Sequence, residues 1–139
     1  GVDQRVIFCP ANVLELCFPD GVFDAAITSF CIRNVDDRFR ALTEMFRVMK
    51  RGAHLVIVEL TQPQGFLMKP LFSIYSNIIT PTITRLFSSA SAYDYLTESM
   101  ADFPDPDEFS AMLRSVGFAG ISYFHLTFGI VTIYVATKP

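Results

Sequence analysis

The sequence is short of charge, of histidine and of basic clusters, and each shortage excludes a class of function. Only 18% of the 139 residues are charged and the net charge is -3, whereas a soluble domain usually carries about 25% charged residues. Because the balance is acidic and no basic run exceeds Lys50-Arg51, the sequence disfavours a nucleic-acid partner. The two histidines, His54 and His125, stand too far apart to predict a metal site, and we expect none.

Cysteine is also scarce. Cys9, Cys17 and Cys31 form no Cys-x-x-Cys pair, and their number is odd. The pattern predicts reduced, partly buried thiols in a cytoplasmic protein, without a disulfide framework or a zinc site.

Long apolar runs are missing as well. The stretches 70–84 and 119–137 are uncharged, but polar residues, Pro81 and Gly129 interrupt them. Neither reaches the roughly 20 consecutive apolar residues of a membrane-spanning helix.

The chain is rich in apolar and aromatic residues. Hydrophobic residues make up 51% of it, 14 residues are Phe, and the mean hydropathy is +0.38. Such a chain collapses on a core, which excludes disorder, and its length suits one domain. The excess of Phe indicates an apolar ligand, a partner or a membrane surface.

Short apolar runs alternate with segments of helical period, which is typical of an α/β domain. Strands are predicted at Val6–Cys9, Ala25–Phe30 and Leu55–Val58, the first two of them buried, followed by a closing antiparallel hairpin of Ile121–Thr127 and Ile130–Thr137. We expect a mostly parallel sheet with this terminal hairpin and helices on both faces. Ligands of such sheets bind at the carboxyl ends of the strands, here Pro10–Glu15, Phe30–Asn34 and Glu59–Gln62.

Helices are predicted from caps and apolar stripes. Asp36 or Asp37 caps a helix that Gly52 ends, and its stripe of Phe39, Leu42, Met45, Phe46 and Met49 predicts core packing. Asp105, Pro106 and Glu108 form a capping box for a helix that ends at Gly117. Two further helices are predicted, within 64–81 and from Ser91 to Phe103.

Two polar residues have both a functional and a structural interpretation. Asn12 could read the edge of a heterocycle with its amide, or it could be an ordinary turn residue. Arg33, which follows the second strand beside Asn34, could serve a substrate, or it could be a solvated charge or a helix-entry contact.

Taken together, several segments resemble the ubiquinone/menaquinone biosynthesis C-methyltransferases. They are Asn12–Asp20 with Phe23-Asp24, Ser29–Val35, Arg47–Thr61, Tyr93–Ser99 and Gly117-Phe118. The resemblance covers essentially the whole chain. It departs at Arg51-Gly52-Ala53, where the family has Pro-Gly-Gly, at Thr61, where it has Ser, and at Cys31, where it has Gly.

This resemblance implies a class I methyltransferase fold, Rossmann-like, that uses S-adenosylmethionine (SAM). Its roles carry over as adenine contacts at Asn12 and Val13, a methionine-end contact at Ser29, catalytic residues Arg33 and Asn34, and substrate contacts at Tyr93, Tyr95 and Ser99. The last three would belong to a helical lid over residues 64–104.

The reaction implied is methyl transfer to a ring carbon of a demethylated prenyl quinol, either demethylmenaquinol or the benzoquinol of the ubiquinone pathway. The resemblance also implies a cytoplasmic enzyme and leaves a peripheral membrane contact and a homodimer open. Two alternatives remain. One is a methyltransferase for another apolar molecule, such as a sterol or phenol. The other is a non-catalytic scaffold subunit of a quinone-biosynthesis assembly.

The glycines of this sequence do not form the turn that a complete SAM site needs. A SAM site needs a Gly-rich turn after its first strand and an acidic residue after the next, and the seven glycines form no Gly-x-Gly turn. We therefore expect residues 1–139 to be the C-terminal portion of a single methyltransferase domain, unable to bind SAM alone. Unpaired edges are expected at Val6–Cys9 and Ala25–Phe30.

Overall fold

A computed structural model describes residues 6–62, 95 and 98–139, which form a four-stranded sheet with helices packed on it. The elements in chain order are β1 (Phe23–Ser29), a 3-10 helix (Ile32–Asn34), α1 (Arg38–Val48), β2 (Met49–Leu60), α2 (Pro106–Val116), β3 (Ala119–Leu126), a second 3-10 helix (Thr127–Gly129) and β4 (Val131–Thr137). The strand order is β1-β2-β4-β3.

The described sheet is mixed rather than mostly parallel. β1 and β2 pair in parallel across α1, whereas β4 pairs antiparallel with both β2 and β3. Only one strand–helix–strand crossover falls within the described residues, and a parallel pair requires such a crossover. The closing hairpin is confirmed, with Thr127–Gly129 as its connection.

The helix caps follow the sequence closely. The Asp37 carboxylate accepts the Arg40 N–H at 2.8 Å, so Asp37 is the cap of α1. At α2 the Asp105 carboxylate accepts the Glu108 N–H at 2.9 Å, and the Glu108 carboxylate accepts the Asp105 N–H at 3.2 Å. Gly117 ends α2 in the left-handed conformation, with φ of 119°. The predicted capping box is confirmed.

α1 and α2 pack on one face of the sheet. Leu42 of α1 and Phe109 and Leu113 of α2 are fully buried there against Leu55 and Ile57 of β2. The predicted stripe of α1 faces this core, except for Phe39, which is half exposed. The expectation of helices on both faces extends beyond the residues that the structure describes.

The junction between α1 and β2 differs from the prediction that Gly52 ends the helix. α1 ends at Val48, and Met49 already pairs with Phe23 in the sheet. The Lys138 ammonium donates to the carbonyls of Phe46 and Met49, each at 2.7 Å. A side chain from the end of β4 therefore satisfies the carbonyls at the end of the helix, a role usually taken by a terminal glycine.

The predicted buried strand Val6–Cys9 is wrong. Residues 6–9 lie in no strand, and the side chains of Ile7 and Phe8 are 94% and 92% exposed. A strand obtains its hydrogen bonds from a neighbour, and no described strand runs beside this segment. The strand predicted at Ala25–Phe30 forms, but it lies at the edge of the described sheet, and its Ile27 is 77% exposed rather than buried.

The predicted helix within 64–81 lies outside the described residues. Of the next one, residues 98–101 are helical, and Met100 and Phe103 are buried. Among the described helices, none has the length and apolar character to cross a bilayer. The three cysteines are exposed rather than partly buried, because all three lie in connecting segments.

Candidate active site

The site begins where β1 ends. Ser29 is exposed at the carboxyl end of the strand, and Phe30 turns the chain with a positive φ of 55°. A non-glycine residue in that region is held there by its surroundings. Here the Phe30 N–H donates to the Val58 carbonyl at 2.8 Å, which anchors the turn to β2. Ile32 is buried and fixes the 3-10 helix that follows.

Arg33 meets a carboxylate from the neighbouring strand. Its Nη1 lies 3.2 Å from Oε2 of Glu59 at the carboxyl end of β2, and its backbone N–H donates to Oε1 at 3.3 Å. The side chain of Glu59 is fully buried and that of Arg33 is 10% exposed. Nη1 also donates to the Phe30 carbonyl at 2.7 Å. This is a buried ion pair, in which each charge depends on the other.

The pairing with Glu59 leaves one N–H group of the Arg33 guanidinium without a hydrogen-bond partner among the described residues. This group, at Nε, is buried. A buried N–H donor in that state costs free energy unless a ligand or water accepts from it. The guanidinium therefore retains donor capacity beside a cleft.

That cleft has a volume of about 340 Å³ and lies beyond the carboxyl ends of β1 and β2. Charged side chains of both signs contribute to its lining. The lining residues are Arg33, Asn34, Val35, Asp36, Arg38, Tyr95, Glu98, Ser99 and Asp102. The Tyr95 hydroxyl donates to Oδ1 of Asn34 at 3.0 Å, and the Asn34 amide donates to the Phe30 carbonyl at 3.3 Å. Asn34 is thus held in one orientation from both ends.

Arg38 joins the two sides of the cleft. Its guanidinium donates to the Asp102 carboxylate at 2.6 Å and to the Arg33 carbonyl at 3.2 Å, and it lies 5.6 Å from the centre of the Phe103 ring. The start of α1 is thereby tied to the segment around 98–103. Among the described residues no group of three or more side chains could hold a metal ion.

The structure brings together four of the predicted site residues, Arg33, Asn34, Tyr95 and Ser99, in the lining of this cleft. Tyr93 lies outside the described residues. Asn12, Val13 and Ser29 do not line the cleft. Their predicted roles remain predictions.

Three residues of the cleft region escaped the sequence reasoning. Glu59 stands in a segment that the strand-end rule selects, but nothing in the sequence shows that it pairs with Arg33. Arg38 and Asp102 are separated by 64 positions, and no motif links them.

Asn12 belongs to a separate turn. Its side-chain oxygen accepts the Leu14 N–H at 3.0 Å, and its carbonyl accepts the Glu15 N–H at 3.0 Å. The turn is fixed to α1 because Nε of Arg40 donates to the Leu14 carbonyl at 3.0 Å. The amide oxygen of Asn12 is therefore engaged by the turn, as the structural interpretation predicts.

The chain after this turn is held by a pair of opposite charges on α1. Arg47 makes two hydrogen bonds to the Glu44 carboxylate, at 2.8 and 2.9 Å, and donates to the carbonyls of Leu16 and Phe18. The Leu16 N–H donates to the same carboxylate at 2.8 Å. The hydrogen bonds from Arg47 and Leu16 lower the pKa of Glu44 to about 2.

Buried hydroxyls fix the end of β2. Thr61 Oγ1 lies 2.7 Å from Thr132 Oγ1 and donates to the Gly129 carbonyl at 2.9 Å. Thr132 is also the cross-strand neighbour of Glu59. This contact keeps β2 and β4 in register at the height of the ion pair.

Known structures define the class of protein to which this fold belongs. A SAM-dependent methyltransferase from Thermotoga maritima superposes with a TM-score of 0.68 at 21% identity, over 99% of this chain and 67% of that chain. A phosphoethanolamine N-methyltransferase from Haemonchus contortus, in complex with S-adenosyl-L-methionine, gives 0.63 at 14% identity, over 92% of this chain and 36% of that chain. The fold is the α/β fold of SAM-dependent methyltransferases, as predicted.

Sequence relatives narrow the class. Residues 1–138 match the ubiE/COQ5 methyltransferase family. A demethylmenaquinone methyltransferase from Bacteroides fragilis is 43% identical in an alignment 139 positions long that covers 99% of this chain and 57% of that relative. A ubiquinone/menaquinone biosynthesis C-methyltransferase UbiE from Geobacter sp. strain M21 is 48% identical over 134 residues, 96% of this chain and 57% of that relative.

The chain belongs to the ubiE/COQ5 methyltransferase family, which confirms the resemblance read from the motifs. It spans 57% of the length of the two relatives just described.

Proposed function

We propose that this chain serves SAM-dependent C-methylation of a demethylated prenyl quinol, either demethylmenaquinol or the benzoquinol of the ubiquinone pathway. The observation that carries the proposal is the buried Arg33–Glu59 pair, set beside Asn34 and Tyr95 in a cleft at the carboxyl ends of β1 and β2. Relatives at 43% and 48% identity are named for this chemistry.

The residues present fit one side of the cofactor. Asn12 and Ser29 are exposed and therefore accessible to a ligand. Since the turn engages the amide oxygen of Asn12, its NH₂ group is the part suited to donate to a ring nitrogen of adenine, with Val13 adjacent. The Ser29 hydroxyl would serve the methionine end. When bound, SAM supplies an electrophilic methyl group on a sulfonium.

In this proposal Arg33 activates the ring carbon that accepts the methyl group. An aromatic carbon becomes a sufficient nucleophile when a neighbouring ring hydroxyl loses its proton, and a cation near that oxygen lowers its pKa. The guanidinium can supply this charge through the N–H groups that Glu59 leaves open. It is not itself the base, because an arginine does not give up its proton in a protein.

Glu59 and Tyr95 act through their neighbours. Glu59 holds the guanidinium at the cleft, and Tyr95 holds the Asn34 side chain. Asn34, fixed in this way, can orient the ring oxygen or an ordered water that accepts the proton. Such pre-orientation supplies much of the rate in a reaction whose electrophile is already strong.

Tyr95, Ser99 and Tyr93 are proposed as contacts to the substrate. Tyr95 is 56% exposed at the cleft, while Ser99 is buried in its wall. Tyr93 and most of the proposed lid at 64–104 lie outside the described residues.

The proposal includes a cytoplasmic location with peripheral contact to the membrane that stores the prenyl quinol, and a homodimer. Exposed apolar side chains such as Phe124 and Phe128, 57% and 79% exposed, support both contacts. Flotation with liposomes and light scattering after gel filtration test them separately. Protein that stays with the aqueous fraction, or elutes as a monomer, contradicts the respective contact.

We further propose that residues 1–139 act as the C-terminal portion of one methyltransferase domain. The test is a chimera in which this chain replaces the corresponding segment of the Bacteroides fragilis relative. The chimera should bind SAM and methylate a prenyl demethylmenaquinol, while the 139-residue chain alone should show no micromolar SAM binding by calorimetry. Appreciable binding by the chain alone would contradict the proposed division of the cofactor site.

Within the chimera, Arg33→Lys tests the catalytic role. We expect a much larger loss in kcat than in SAM affinity, because lysine keeps the charge but loses the planar fork of donors. Equal losses in both quantities, or none, would refute the role. Methylation of sterols or simple phenols without methylation of the quinol would refute the substrate, and a chimera that binds no SAM would favour the scaffold alternative.

A further inference from the structure

Two cysteines that no part of the proposed mechanism uses lie side by side. The Sγ atoms of Cys9 and Cys17 are 3.9 Å apart, although the residues are eight positions apart in the sequence. Both residues are exposed. No sequence motif predicts this pair, since the spacing matches neither a Cys-x-x-Cys motif nor a metal site.

The two thiols differ in how firmly the backbone holds them. Cys17 stands between two anchored residues, since Leu16 donates to the Glu44 carboxylate at 2.8 Å and the Phe18 carbonyl accepts from Arg47 at 2.8 Å. Cys9 lies in a segment without helix or strand. A disulfide requires the sulfur atoms to approach from 3.9 Å to about 2.05 Å, and the segment of Cys9 can move this far without breaking sheet hydrogen bonds.

We propose that Cys9 and Cys17 form a reversible, redox-sensitive disulfide that closes the segment 9–17 into a ring around the Asn12 turn. The oxidant is a low-molecular-weight disulfide of the glutathione class. The Cys17 thiolate attacks one of its sulfur atoms, the S–S bond breaks, and one thiol leaves. The Cys9 thiolate then attacks the sulfur of Cys17 and releases the second thiol, so that two protein thiols are oxidised and one disulfide is reduced to two thiols.

The order of the two steps follows from the environment of the pair. The hydrogen bond with Cys17, together with the charge that Cys17 would carry once ionised, raises the pKa of Cys9. Cys9 therefore ionises less readily than a free thiol, which suits the thiol that acts second. A thiolate is the attacking species in disulfide exchange.

The experiment equilibrates the reduced chain with glutathione buffers of graded potential, blocks remaining thiols by alkylation, and maps the products by mass spectrometry. Cleavage after Glu15 and Asp24 separates all three cysteines, so a disulfide keeps two identifiable peptides joined. We expect two of the three thiols to become protected together. We also expect the equilibrium constant for formation of the Cys9–Cys17 disulfide by exchange with glutathione to be at least about tenfold larger in the native chain than in the urea-denatured chain. The reason is that folding holds the two sulfur atoms together.

Matched variants distinguish this pair from general oxidation. Cys31→Ser leaves the pair intact and should oxidise like the wild type, whereas Cys9→Ser should stop at a mixed disulfide on Cys17. Three alkylatable thiols at every potential would overturn the proposal. It would equally be overturned by a disulfide that includes Cys31, or by the same equilibrium constant in native and denatured chains. None of these outcomes depends on methyltransferase activity, so the two proposals fail separately.

Discussion

Replacing Glu59 with glutamine probes the ion pair on which the site depends. The substitution removes one charge and keeps the size of the side chain. Glu59 is fully buried and accepts from Nη1 of Arg33 at 3.2 Å, from the Arg33 N–H at 3.3 Å and from the Leu60 N–H at 3.3 Å. Glutamine retains one acceptor oxygen and directs its NH₂ group at donors that the second carboxylate oxygen used to satisfy.

The magnitude follows from burial. Removing one partner of a buried ion pair costs about 3–5 kcal/mol, because the remaining charge stays buried without compensation. The Arg33 side chain is only 10% exposed, so water replaces the carboxylate at most in part. It keeps the hydrogen bond to the Phe30 carbonyl at 2.7 Å, which places the expected loss at the lower end, about 3 kcal/mol.

The assay is urea unfolding followed by far-ultraviolet circular dichroism. The midpoint for Glu59→Gln should fall at an unchanged slope, as for a variant that changes stability alone. The control is Asp24→Asn, which removes the partner of Lys50 from an ion pair that is exposed on both sides. That variant should lose no more than about 1 kcal/mol.

A double variant provides the decisive comparison. Arg33→Met with Glu59→Leu removes both charges and fills the space with apolar atoms, so it should be more stable than Glu59→Gln alone. If Glu59→Gln costs less than about 1 kcal/mol, the pair is not buried in solution. If the double variant is the less stable of the two, the loss measures packing rather than an unpaired charge.

Three further predictions concern other parts of the chain. The pKa of Glu44 is lowered from the usual 4.5 to about 2, so the stability that its charge confers is complete above pH 4.5 and is lost as the pH falls towards 2. Acid titration by circular dichroism should show this loss of stability. In Glu44→Gln this pH-dependent contribution should be absent. Lys138→Met should cost about 1 kcal/mol in urea unfolding, because it takes the donor from the end of α1 and keeps the aliphatic stem; an unchanged midpoint would show that solvent replaces the cap. In the chimera, Asn12→Ala and Ser29→Ala should each weaken SAM binding by about 1–2 kcal/mol in calorimetry, and Asn12→Asp, which keeps the oxygen that the turn uses, should weaken it as well; unchanged affinity in both alanine variants would refute their placement at the cofactor.

Features that depend on neighbouring residues were predictable from the sequence. The Asp105 capping box, the closing hairpin and the Asp37 cap each involve groups a few positions apart, and the structure contains all three. The placement of Arg33 and Asn34 after a strand is local information of the same kind. Motif spacing was enough to predict the family.

The candidate site was predictable only in part. The strand-end rule selected the segments of Arg33 and Glu59, but their pairing depends on β1 and β2 lying side by side. The contact of Arg38 with Asp102 joins residues from distant parts of the chain. Neither pairing has a sequence signature, since hydrogen-bond partners are chosen by proximity in space.

By itself the sequence determined the class of fold, the family and the composition of the strand ends, because hydrophobic period, capping residues and motif order act over short distances along the chain. Tertiary structure alone decided which segments became buried. The apolar run Val6–Cys9 has the composition of a strand yet is exposed, because a strand needs a paired neighbour. The end of α1 was also decided by tertiary structure rather than by Gly52. Lys138, which follows β4 near the C-terminus of the chain, donates to the carbonyls at the end of this helix.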